Sequence, residues 1–449
     1  MNKSEKLVAR RNAIVPEGMG MFSPATIVSG KGAIIKDADG KEYIDFAGGI
    51  GVLNAGHCPK PVVDAIIKQA KQLVHACFPV AIYEPYVDLC EQLAALLPHG
   101  KSTKVMLTNS GVEAVENAIK IARQATGRQG IICFTGGFHG RTLLGMTLTS
   151  KTGYKIGSGP FAPEVYRFPF PDYYKRNNGL SMEDFVSREL EAFESYLHNM
   201  VDATNVAAII MELVQGEGGF VVAPKAYVQG LYKICKAKGI LFIADEVQTG
   251  FGRTGKWAAY EHYDMVPDLS TWAKSMGSGM PIGAVIGRTE VMDKTTKGTL
   301  GGTYLGNPVA CAASLATIEY MKKIDINSKG VQVGKTVMNF FVKLQQECSA
   351  IGEVRGLGAM MAFELVKDKN PNKPDADLCK ALINACAAKG LLIISAGTSG
   401  NVIRVLSPLV ITQPQLMKGL NILREELLRL TGTVVATSAK GEKKTPIKA

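Results

Sequence analysis

The chain has no unbroken apolar stretch near the roughly 20 residues that a membrane-spanning helix needs. Its basic N-terminus is not followed by the apolar segment of a secretory leader, so cytoplasmic residence is the expectation. Aromatic residues are few, 7% with two tryptophans, and no basic helix is interleaved with them. A nucleic-acid partner is therefore not expected, despite a formal charge of +11. Cysteines at ligand or redox spacing are missing as well. The nine cysteines (58, 77, 90, 133, 235, 311, 348, 379, 386) are scattered and mostly inside apolar runs, with no Cys-x-x-Cys and no Cys/His cluster. They read as reduced, buried thiols, and no metal site is expected. Internal repeats are lacking, and the one low-complexity piece is the Thr/Ser/Lys-rich end from Thr431, expected to be a disordered tail over 431–449.

The charge is concentrated at the ends: residues 1–11 and 440–449 each carry +3, leaving +5 of the +11 for the rest. That remainder suits solubility, with at most a weak preference for acidic small molecules. With 449 residues, 46% hydrophobic and 20% charged, the chain is too long for one core and ordinary in composition for a soluble enzyme of two domains.

Strand-like apolar runs recur at 104–108, 130–134, 206–213, 240–245 and 283–287, with helical patterns at 111–125, 225–238 and 308–322 between several of them. This alternation predicts an α/β domain with a largely parallel sheet at about 63–330. Residues 30–46 give a hairpin pattern around Asp37-Ala-Asp-Gly40, and 331–430 mixes two helices with short strands at 359–365 and 390–394. The N-terminal arm, 1–62, and the segment 331–430 are expected to pack together as a smaller α+β domain, with the catalytic cleft between the two.

The chemistry gathers where those strands end. The run Gly239-Ile-Leu-Phe-Ile-Ala-Asp245 ends in an acid, and Lys274 follows 29 residues later, after a short apolar segment closing on Ser270-Thr-Trp-Ala273. An acid able to protonate a pyridine ring and an amine able to form a Schiff base thus end nearby strands, which suggests pyridoxal phosphate (PLP) chemistry. Thr108-Asn-Ser-Gly-Val-Glu113 leaves a strand and opens a helix, so its amides, with close approach allowed by Gly111, make an anion site fit for a phosphate. Ser110 alone would equally serve as an ordinary helix cap. Phe138-His-Gly-Arg-Thr142 offers an aromatic to stack on a planar ring and an arginine to grip a carboxylate. Singly, Phe138 would read as core and Arg141 as a surface ion pair. Met211-Glu-Leu-Val-Gln-Gly-Glu-Gly-Gly219 ends a further strand with two carboxylates on a tightly turning backbone.

Asp245-Glu-Val-Gln-Thr-Gly-Phe-Gly-Arg-Thr-Gly255, Lys274 and Gly302-Thr-Tyr-Leu-Gly-Asn-Pro308 together resemble the signature of class III PLP-dependent aminotransferases, over nearly the whole chain. Phe46-Ala-Gly-Gly-Ile-Gly-Val-Leu-Asn-Ala-Gly-His57, Tyr83-Glu-Pro-Tyr86, Gly352-Glu-Val-Arg-Gly-Leu-Gly-Ala-Met360 and Asn401-Val-Ile-Arg-Val-Leu-Ser-Pro-Leu-Val410 resemble the 4-aminobutyrate branch. The resemblance implies fold type I of the PLP-dependent transferases, with Lys274 as the covalent anchor and Asp245 at the pyridine nitrogen. It implies Gln248 near the ring hydroxyl, Val247 and Phe138 on the two ring faces, and His139 among the cofactor's neighbours. Ser110, Gly111 and Val112 would hold the phosphate, assisted by Thr303 from the other subunit of a homodimer, which could pair further into a tetramer. Val112 departs from the Ser or Thr of many relatives, so a hydroxyl donor is lost there. Arg141 would take the distal carboxylate of an ω-amino acid in a pocket narrowed by Ile50. Arg404 would take the α-carboxylate of glutamate, and Glu217 would pair with Arg404 otherwise, with Glu212 also in the substrate site. The implied reaction moves the amino group of 4-aminobutyrate to 2-oxoglutarate. Rivals are 5-aminovalerate, β-alanine, ornithine or acetylornithine as donor, and a PLP-dependent amino-acid racemase, against which Arg141 speaks.

Overall fold

The computed structural model describes residues 1–433. Most of the tail expected from Thr431 lies outside the described residues.

A seven-stranded sheet organises the molecule, in the order Thr103–Thr108, Gly283–Arg288, Leu269–Trp272, Leu241–Asp245, Val206–Met211, Gly130–Phe134, Val165–Phe168. Strands Gly130–Phe134 and Val206–Met211 are buried at every position, as a strand covered on both faces must be. Alternate side chains feed two separate cores: Ile132, Phe134, Ile209, Met211 and Phe242 enter one, and Ile131, Cys133, Ala208, Ile210 and Ile243 the other. Helix Gly111–Thr126 covers the second core, and helices Met182–Asn199 and Lys225–Lys238 lie over the first.

Six strands run one way and Gly283–Arg288 runs against them, antiparallel to both neighbours. Its connection from Trp272 is the short stretch 273–282, less than the dozen or so residues a parallel crossover takes. That stretch is the turn carrying Lys274.

Among the described residues there are also two four-stranded sheets. The expected hairpin is present as Ile27–Lys31, Ile34–Asp37 and Glu42–Asp45, paired antiparallel, and Leu391–Leu392 joins it in parallel beside Glu42–Asp45. The other sheet holds Ile351–Leu357, Met360–Leu365, Val402–Val405 and Ile394–Ala396. The segment read as one strand at 390–394 is thus divided at Ile393 between two sheets, because its two halves meet different partners. Helix Ile326–Glu347 runs through position 330 without interruption. Among the described residues no helix is long and apolar enough to cross a membrane.

Candidate active site

Five parallel strands deliver their following residues to one place. Thr103–Thr108 leads to Ser110, Gly130–Phe134 to Phe138, Val206–Met211 to Glu212, Leu241–Asp245 ends on Asp245, and Leu269–Trp272 leads to Lys274. These are carboxyl ends, where open α/β sheets bind ligands. The cavity there, about 380 Å³, is lined by Ser110, Gly111, Val112, Phe138, His139, Arg141, Glu212, Glu217, Asp245, Val247, Gln248 and Lys274.

Ser110 caps helix Gly111–Thr126, its hydroxyl accepting from Glu113 N at 3.3 Å. A Cβ on Gly111 would come within 2.9 Å of Val247, so the helix start and the Asp245 loop touch through glycine alone. Val112 has an unforeseen packing role. Its branched side chain is pressed by Gly140 and Gly145, where a Cβ would stand 2.1 and 2.4 Å from its methyl group. The position lacking a hydroxyl is therefore filled by contact with the segment that carries Arg141.

Asp245 is buried, and both its oxygens are engaged: Oδ2 with His139 Nδ1 at 2.7 Å, Oδ1 with Thr271 Oγ1 at 3.1 Å and Val247 N at 3.2 Å. Burial works against a charge on His139, but the bond to Asp245 outweighs it and raises the imidazole above its ordinary value. Glu212 accepts from Phe138 N and Gly216 N, both at 2.8 Å, tying two strand exits together. Burial pushes its carboxyl upward.

Lys274 sits at φ +50°, in the left-handed region that non-glycine residues rarely occupy. Burial lowers its ammonium to about 8, although Glu217 partly offsets that. Among the described residues, Gln248 Oε1 is buried without a partner. Arg404, buried on strand Val402–Val405, donates through Nη1 to Glu217 Oε1 at 2.6 Å, while its Nε has no partner among the described residues. Burial alone would raise Glu217, yet Arg404 outweighs it and holds the carboxyl below its usual value. Arg141 is exposed, stacked over Tyr154 rather than paired with an acid.

Three expected residues stand apart from the cavity lining, and of these Arg404 meets it only through its bond to Glu217. Ile50 is exposed at φ +64°, and Val52 lines the cavity instead. Thr303 lies in an exposed loop beyond it. The sequence reading missed Asn109, Val115 and the 279–282 stretch of the wall. Asn109 lies within a quoted motif, whereas 279–282 carries no pattern beyond a turn.

A cavity of this size with an anion-ready helix start, a lysine in its wall, a buried acid and an amide oxygen unpartnered among the described residues fits PLP. The fold and this site define an α/β enzyme of the PLP-dependent transferase type. The sequence model described as "Aminotransferase class-III" matches residues 15–427, and the chain belongs to that family. It is 45% identical over 419 residues to a probable 4-aminobutyrate aminotransferase of Bacillus subtilis, covering 93% of this chain and 96% of that one. It is 44% identical over 423 residues to 5-aminovalerate aminotransferase DavT of Pseudomonas aeruginosa, covering 94% and 98%. Among solved structures, the PLP-bound form of an amine transaminase from an uncultivated Pseudomonas species superposes with a TM-score of 0.85 at 28% identity, covering 93% of this chain and 97% of that one.

Proposed function

We propose that the protein is a PLP-dependent transaminase that moves the amino group of an ω-amino acid, 4-aminobutyrate first, to 2-oxoglutarate, giving succinate semialdehyde and glutamate. One observation carries this reading: two arginines at the site differ in state, Arg141 in the cavity wall without an acid partner among the described residues, and Arg404 neutralised by the wall residue Glu217 at 2.6 Å. A donor with one carboxylate, distant from its amine, needs one free cation. Glutamate brings a second carboxylate, which takes Glu217's place on Arg404, so that buried arginine is never left unpaired.

When bound, PLP supplies the electron sink that lets the C–H bond beside the amino nitrogen break and re-form. The amides of Ser110, Gly111 and Val112 would hold its phosphate, and Asp245, supported by His139 and Thr271, would keep its ring nitrogen protonated. Phe138, Val247 and Gln248 would hold the ring. Lys274 would anchor the cofactor, and its Nζ as a free amine would take and return the proton on the reacting carbon. Its lowered ammonium value favours the neutral amine that this requires.

The two relatives, at 45% and 44% identity, bear names that differ by one methylene in the donor, and one methylene is worth only about 1–3 kcal/mol. A panel of β-alanine, 4-aminobutyrate, 5-aminovalerate and ornithine, each with 2-oxoglutarate and with pyruvate, tests the reading on purified protein. Loss of label from an α-deuterated amino acid without amino transfer would favour the racemase instead.

The protein acts as a cytoplasmic homodimer with shared sites, possible pairing into a tetramer being secondary. Support comes from the Thr303 loop, where exposed Tyr304 meets His75 with ring centroids 5.1 Å apart and tilted by 39°, and Asn307 donates to Val74 O at 2.8 Å. Val74, Val80 and Ile82, exposed and apolar, lie along the same stretch, a surface suited to a second copy. Residues 63–330 form the cofactor unit, and 1–62 with 331–430 form the small one, a division supported by the pairing of Glu42–Asp45 with Leu391–Leu392.

A further inference from the structure

Aromatic rings hold Arg141. Its guanidinium carbon lies 4.4 Å from the centroid of Tyr154 and 5.9 Å from that of Phe138. The two rings meet edge to face, 5.5 Å apart at 72°, so one ring face is turned to the cation. Tyr154 ends the short turn Thr152–Tyr154. Lys151 reaches over the same ring, Nζ 5.9 Å from the centroid, and donates to Gly397 O at 3.4 Å. Gly397 N donates in turn to Glu217 O at 2.9 Å. The brace under Arg141 is thus tied to the backbone of the residue that neutralises Arg404.

We propose that Tyr154 is a positioning residue that sets donor length. By fixing the guanidinium of Arg141 over its ring, it fixes the reach between the amine end of the site at Lys274 and the carboxylate end. The inference rests on the reading of Arg141 as the carboxylate's partner. An arginine tip swings through several ångströms when unbraced, whereas one methylene changes the reach of a donor by on the order of an ångström. A loose Arg141 would therefore serve β-alanine, 4-aminobutyrate and 5-aminovalerate with little distinction.

The test uses holoenzyme with Tyr154→Leu, Tyr154→Phe, Lys151→Met and Arg141→Met. Values of kcat and KM are measured separately for the three donors at saturating 2-oxoglutarate. Binding of unreactive propionate, butyrate and valerate is read from the shift of the visible cofactor band. Tyr154→Leu raises KM for the preferred donor about tenfold with a smaller change in kcat, and narrows the spread among donors and among monocarboxylates. Tyr154→Phe, which keeps the ring face, restores the ranking. Lys151→Met removes the second cation over the ring and moves the ranking in the same direction, which keeps the question decidable if the leucine variant does not fold. Unchanged ranking in Tyr154→Leu, or a phenylalanine variant as impaired as the leucine one, overturns the proposal. If Arg141→Met leaves donor KM unaltered, the carboxylate reading falls and takes the proposal with it. If Arg141→Met raises KM while Tyr154→Leu does not, the proposal falls alone.

Discussion

On the proposed reading Lys274 is both anchor and base, and its surroundings set when it can be either. Burial disfavours its ammonium and brings it to about 8 from an ordinary 10.5. Only the neutral amine attacks a carbonyl, so its share grows as pH rises to that value and saturates above it. Capture of added PLP by cofactor-free protein should accelerate about tenfold per pH unit below 8 and level off above, as followed by growth of the visible band in stopped flow. A rate still climbing at pH 10 would show an ordinary lysine. Asp245 acts at the same scale, since its two oxygens hold His139 and Thr271 while it faces the cavity. Asp245→Asn should keep the fold and much of the cofactor while slowing the half-reaction roughly 100-fold or more. Near-normal turnover would reduce the acid to a structural part.

At the scale of elements, a glycine-rich strand exit and a small-sheet strand share one ion pair. Glu217 follows strand Val206–Met211 on a turn where Gly216 N donates to Glu212, and its own carbonyl accepts from Gly397 N. Arg404 comes from Val402–Val405, 187 residues along the chain. The carboxyl of Glu217 is held low by that arginine, so the pair's contribution is present above the ordinary carboxylate value and lost only as pH falls through the lower folded one. Glu217→Ser should therefore impair the 4-aminobutyrate half-reaction far more than the glutamate one, by about tenfold or more in single-turnover spectroscopy. Equal losses in both halves would mean that Glu217 supports the structure only.

The whole molecule is fastened at Arg253, fully buried and without a carboxylate in hydrogen-bond contact. It donates to Asn54 Oδ1 and to Ser407 O at 3.0 Å, and its own carbonyl accepts from Ala359 N at 2.8 Å. The N-terminal arm, the large sheet's loop and the last third of the chain thus meet on one side chain. Arg253→Met should cost about 2–4 kcal/mol through the acceptors left unpaired, read as a lower urea midpoint with an unchanged slope. A change below about 0.5 kcal/mol would assign the fastening to packing alone. On the two-subunit reading, dilution until the protein sediments as a monomer should abolish turnover, because Thr303 and its loop then leave the partner's phosphate. Fully active monomers would refute the shared site.

The sequence by itself determined the alternation of strand runs with helices, though not the strand Val165–Phe168, and the places of Ser110, Phe138, Glu212, Asp245 and Lys274 where strands end. Those signals are local: an unbroken apolar run such as 206–211, a serine and glycine opening a helix at 110–111, an acid closing a buried strand at 245. Motifs matched to a family added the roles, and with them the expected partnership of Glu217 and Arg404, which no local pattern contains. Other features depended on meetings between distant segments. The reversal of Gly283–Arg288 followed from a connection too short to cross over. The division of 390–396 between two sheets followed from which partner each half reached. Val112 against Gly140 and Gly145, and Arg141 on Tyr154, have no periodicity to betray them. Such contacts gain their energy from packing surfaces that come together only when the chain has folded, so only the tertiary structure decided them.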